Sequence, residues 1–67
     1  MANALTERQL EILKLVAEGK SSKDVAAELG VSHKTVCVHR TRIMERLRIY
    51  DAASLTRYAI RRGLAKP

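Results

Sequence analysis

The chain has 67 residues, with 13 Lys and Arg against 7 Asp and Glu, a formal charge of +6, one cysteine and no Trp or Phe. That length suits one small domain with an aliphatic core and no separate sensor; a lone cysteine excludes an internal disulfide, and no apolar run is long enough to span a bilayer. Residues 1–32 carry four basic and five acidic side chains while residues 33–67 carry nine and two, so the second half points to a polyanion (DNA, RNA or anionic membrane), with a soluble cationic surface as the plain alternative.

Residues 1–5 read as a short lead-in. They lack the basic start and apolar run of a signal peptide, so a reduced, cytoplasmic protein is expected. Thr6-Glu7-Arg8-Gln9 fits a capping box, and Leu5 with Leu10 fits the hydrophobic staple beside it. The first helix is expected over about 6–18, with Leu10, Leu13, Val16 and Ala17 on one face, Ile12 beside it and Leu15 off the stripe. Gly19 ends it in the left-handed conformation.

A second helix is expected over 22–29, with Val25, Ala26 and Leu29 inward. Gly30 stops it and Ser32 caps a third helix over 33–47. Val31 is apolar and plugs the turn between them, and Ala26 is small where the two helices come close. That is a helix-turn-helix arrangement, read from spacing and side-chain size. Arg48-Ile49-Tyr50 breaks the third helix. Asp51 caps a fourth over 52–62, with Leu55, Tyr58 and Ala59 inward, and Gly63 closes it with Leu64 folded back on the last turn. Lys66-Pro67 is a frayed end. No alternating run of strand length occurs, so the fold class is all-α.

At about 100° per residue the third helix sorts into faces. Val36, Ile43 and Leu47 fall on one side, and Lys34, Val38, Thr41 and Glu45 opposite, with Cys37 at the edge. Thr35, His39, Arg42 and Arg46 form a polar and basic flank between them. A rod lying in a DNA groove needs the same division: a core side, a base-facing side and a phosphate-facing flank. The plain alternative is a solvated helix face.

Leu5-Thr6-x-Arg8-x-x-Glu11-Ile12-Leu13, Gly19, Val25-Ala26-x-x-Leu29, Ser32-x-x-Thr35-Val36-x-x-His39, Ile43-x-x-x-Leu47 and Ala59-x-x-x-Gly63-Leu64 together resemble the LuxR-type (GerE, NarL/FixJ) helix-turn-helix, over residues 5–64. The resemblance implies a single four-helix domain, 1–67 with its core at 5–64. It implies sequence-specific binding of double-stranded DNA by a bacterial transcription regulator, usually C-terminal to a phosphoacceptor receiver or a small-molecule-binding domain. Three positions depart from the family pattern: Cys37 stands where Lys is frequent, Thr41 where a polar or basic groove contact is common, and Gln9 where Glu is usual.

On this basis Lys34, Cys37, Val38 and Thr41 are expected to face base edges. Ser22, Lys23, Thr35, His39, Arg42 and Arg46 are expected to hold phosphates. Ser22 and Lys23 begin the helix that crosses the DNA backbone, and Thr35 offers an amide and a hydroxyl at a helix start. Arg40 lies near the core side and carries its charge outward along its stem. Cys37 has three readings: a small apolar groove contact, a neutral surface thiol, or a redox-sensitive thiol. His33, Cys37 and His39 do not share one helical face, so no zinc site is expected. Neither His39 nor any carboxylate pair suggests catalysis. The small stripe Ala52, Ala53, Thr56 and Ile60 permits two fourth helices to approach, the helix that family dimers use; its plain alternative is an exposed face. The expected partners are therefore double-stranded DNA, a second copy of the chain and RNA polymerase, with no cofactor, metal, small-molecule ligand or membrane. A second reading, resting on Cys37 alone, is a protein-interaction module that binds another regulator or RNA polymerase and touches DNA weakly.

Overall fold

The structure, a computed structural model, describes residues 5–66. The expected lead-in at 1–4 and the terminal Pro67 lie outside the described residues. Four helices follow one another: α1 (Glu7–Ala17), α2 (Ser22–Leu29), α3 (His33–Leu47) and α4 (Ala52–Arg61). The second and third have the bounds expected from the sequence. The first starts one residue later and ends one residue earlier than expected, and the fourth ends one residue earlier, because Thr6, Glu18 and Arg62 serve as caps.

Each start is set by a side chain that satisfies an otherwise unpaired first-turn amide. Thr6 Oγ1 accepts from the Gln9 amide at 3.0 Å, and Gln9 Oε1 accepts in return from the Thr6 amide at 3.1 Å. Ser21 and Asp24 repeat this reciprocal box at the start of α2. Ser32 Oγ accepts from the Thr35 amide at 3.0 Å, and Asp51 Oδ2 from the Ser54 amide at 2.9 Å. The ends share one solution. In each helix an amide beyond the last turn reaches a carbonyl five residues back: Lys20 to Leu15, Val31 to Ala26, Ile49 to Met44 and Leu64 to Ala59. This closure needs a residue with positive φ. Gly19, Gly30 and Gly63 supply it three times; at the end of α3 it falls on Arg48, at φ 57°.

The core is aliphatic: Ile12, Leu13 and Leu15 from α1, Val25 and Ala26 from α2, Val36 and Ile43 from α3, Leu55 and Ala59 from α4. Val31, Leu29, Leu47, Tyr58 and Leu64 pack against it from partly buried positions. Helix α1 is the hub, packed against the other three, while α2 and α3 form the tightest remaining pair. This explains one departure from the sequence reading. Leu10, expected inward, is 37% exposed, whereas Ile12 is fully buried and Leu15 is 9% exposed. A helix packed from two sides buries a wide band rather than one stripe, and here the band is turned away from Leu10. The expected staple therefore keeps only its Leu5 end against the core.

Candidate nucleic-acid interface

The interface is built on α3, because the core grips that helix on one side only. Val36 and Ile43 are buried, and Met44 and Leu47 are half-buried against them. On the opposite side Lys34, Cys37 and Thr41 are exposed, and Val38 is 40% exposed. These four lie at i, i+3, i+4 and i+7, the spacing of one helical face. An apolar side chain such as Val38 left facing water on an otherwise polar face suits contact with a thymine methyl.

The flanking residues are placed less uniformly. Arg42 and Arg46 are exposed and, with Arg48 and Glu45, line a groove between the end of α3 and Thr6 and Gln9 at the start of α1. Lys23 is exposed at the start of α2. Thr35 differs from expectation. Its amide already donates to Ser32 Oγ, and its hydroxyl lies 2.8 Å from the same atom. The N-cap takes the amide first, so only the paired hydroxyls of Ser32 and Thr35 face outward. His39 is half-buried, and its Nδ1 is buried with no hydrogen-bond partner among the described residues.

Two contacts were not foreseen. The Arg40 Nη1 donates to Ser22 Oγ at 2.6 Å, joining α3 to the first residue of α2. Ser22, Cys37, Arg40, Thr41 and Met44 line one shallow cleft, so the phosphate-side and base-side candidates meet there. Sequence spacing places Arg40 on the core side of α3, but only the crossing of α2 over α3 brings the guanidinium to a residue 18 positions away. The second contact is local: Cys37 Sγ lies 3.7 Å from Nε2 of His33, one turn earlier. The i, i+4 spacing of this pair is legible in the sequence. Among the described residues no three His, Cys, Asp or Glu side chains group as a metal site would require.

The stripe on α4 stands apart from α3, since α4 packs chiefly on α1. Ala52 and Ala53 are exposed, and Thr56 and Ile60 half-buried. The Thr56 hydroxyl donates to the Ala52 carbonyl at 3.0 Å, so its polar atom is turned into its own helix. At the start of α4, Ser54 holds the Asp51 carboxyl below the ordinary carboxylate value, by its amide first and its hydroxyl second, with the charge of Arg57 adding to them. Among the described residues no helix is long and apolar enough to cross a membrane.

Comparison with known proteins agrees with this geometry. The family described as bacterial regulatory proteins, luxR family, matches residues 3–59. The uncharacterized response regulatory protein YgeK of Escherichia coli is 44% identical over 62 residues, covering 92% of this chain and 42% of that protein. The oxygen regulatory protein NreC of Staphylococcus epidermidis is 45% identical over 60 residues, covering 90% and 28%. The transcriptional regulatory protein LiaR of Bacillus subtilis is 44% identical over 61 residues, covering 91% and 29%. The chain thus spans less than half the length of these relatives. With four capped helices, an exposed face with a basic flank on the third and a family match over most of its length, the chain belongs to the luxR family of bacterial regulatory proteins, a family of DNA-binding regulators rather than of enzymes.

Proposed function

We propose that this chain, as a single domain with its core at 5–64, binds specific sequences in double-stranded DNA as the output part of a cytoplasmic two-component response regulator. Helix α3 lies in the major groove with Lys34, Cys37, Val38 and Thr41 toward base edges. Ser22, Lys23, His39, Arg42 and Arg46, with the hydroxyl of Thr35, hold the phosphates on either side. The single observation that carries this is the exposed face of α3: four side chains capable of reading bases stand on a helix fixed from behind by Val36 and Ile43. The regulatory names of the relatives support the output role. Two copies bind together on a two-fold site through Ala52, Ala53, Thr56 and Ile60, and RNA polymerase is a further partner.

The test is selection of bound sequences from random duplexes, followed by affinity measurements over a range of salt. The three cationic phosphate contacts per copy, Lys23, Arg42 and Arg46, give a log–log slope of about −2.7. A two-fold sequence motif with such a slope is the expected result. A slope near zero on duplex DNA removes the proposal and favours a protein-interaction module instead.

A further inference from the structure

We propose that Arg40 is a positioning residue for DNA binding: through its bond to Ser22 it sets the start of α2 against α3 and presents the Ser22 hydroxyl as a donor to a backbone phosphate. This rests on the DNA-binding reading above. Arg40 is half-buried, and its Nη1 lies 2.6 Å from Ser22 Oγ. A guanidinium has no acceptor, so in this bond the serine oxygen must accept. The hydroxyl proton then remains for another partner, and a phosphate oxygen, which only accepts, is the matching one.

Electrostatics argues in the same direction. The Arg40 charge is held at the first residue of α2, where the helix dipole is itself positive. The one acid in that turn, Asp24, has its carboxylate turned back toward the Ser21 amide at 3.4 Å. No carboxylate of that turn therefore competes with a phosphate for the Ser22 hydroxyl proton. The cleft that contains the contact is also lined by Cys37 and Thr41. Arg40 therefore fixes the spacing between the side chains that read bases and the helix start that holds the strand.

The experiment uses a duplex recovered by selection from random sequence and compares the unaltered chain with Arg40→Ala, Arg40→Lys, Ser22→Ala and the Arg40→Ala/Ser22→Ala pair. Affinity is measured across a salt series, with thermal melts alongside. Arg40→Ala and Ser22→Ala should each weaken binding about tenfold, the size of one charge-assisted hydrogen bond. The pair should be no weaker than Arg40→Ala alone, because both remove the same link. The salt slope of Arg40→Ala should match that of the unaltered chain, and Arg40→Lys, with charge but no fork, should fall between. Losses that multiply in the pair overturn the proposal. So does a slope reduced by about 0.9, which marks Arg40 as a direct phosphate contact. Unchanged affinity with a lowered melting temperature shows a purely structural residue and also overturns it. If Arg40→Ala does not fold, Arg40→Lys with Ser22→Ala completes the same cycle. Failure of the unaltered chain to bind any duplex removes the DNA-binding reading itself, and is seen before any variant is compared.

Discussion

Arg48 does a glycine's work at the end of α3. Its φ of 57° is the one positive value on a non-glycine residue among those described, and the closing bond from the Ile49 amide to the Met44 carbonyl depends on it. An L side chain in that conformation costs roughly 1 kcal/mol or more, of which part returns as unfolded-chain entropy when Gly replaces it. Arg48→Gly should therefore raise stability by about 0.5–1 kcal/mol, a gain of several degrees in a thermal melt of a domain this size. Gly30→Ala should act in the opposite direction by about 1 kcal/mol. An added Cβ at Gly30 meets nothing within 4 Å, so only backbone strain is tested. Melting shifts of the same sign in both variants would contradict this account. At this scale legibility follows locality. The caps at Thr6, Ser32 and Asp51 could be read because donor and acceptor lie three residues apart. The left-handed residue at the end of α3 could not, since Arg carries no signal for that conformation. The Arg40–Ser22 bond could not either, since it depends on a helix crossing.

Helix α3 is anchored and presented by residues two positions apart. Val36 is fully buried, whereas Val38 is 40% exposed. Val36→Ala should lower stability by about 2 kcal/mol through lost burial and the cavity left behind. Val38→Ala should change stability by less than about 0.5 kcal/mol, yet weaken binding to a selected duplex. Urea unfolding and a binding titration on the two variants separate these roles; equal stability losses would mean that the face has been assigned incorrectly. The start of α4 adds a dependence on pH. Ser54 lowers the Asp51 carboxyl, so the folded-state pKa lies below the unfolded one. The cap's charge contribution is therefore complete above the unfolded value and disappears as pH falls through the lowered folded value. Asp51→Asn keeps a capping oxygen without the charge. The melting-temperature gap between the two proteins should hold steady near neutrality and close in acid, as pH falls below the ordinary carboxylate value and through the lowered folded one. A gap that widens in acid would reverse the sign argued here. The facing of α3 was legible because one partner side grips it at a constant period. That of α1 was only partly so: packing from two sides left Leu10 outside and drew Ile12 and Leu15 in.

For the whole molecule, the arrangement of helices separates two tasks. The α2–α3 pair carries the groove-facing side chains, while α4 sits across α1 from it. A second copy can then meet α4 without covering α3. The stripe offers Ala52 and Ala53 in the open, with the Thr56 hydroxyl turned inward, so its outward surface is small and largely apolar. Small area predicts weak pairing in free solution and firm pairing once two copies share one duplex, where each raises the other's effective concentration. Half-sites should lie about one helical turn apart. Ala53→Glu and Ala53→Arg both place bulk on the stripe at an exposed position, and folding should be unaffected within about 0.5 kcal/mol. Both variants should keep the affinity of a single half-site and lose the cooperative gain on a two-half-site duplex. The two signs of charge matter. If residue 53 lay against the DNA rather than against a second copy, Glu would weaken single half-site binding and Arg would strengthen it. Equal loss of cooperativity in both, with single-site affinity unchanged, assigns the stripe to the pair; persistence of cooperativity in either assigns pairing to another surface.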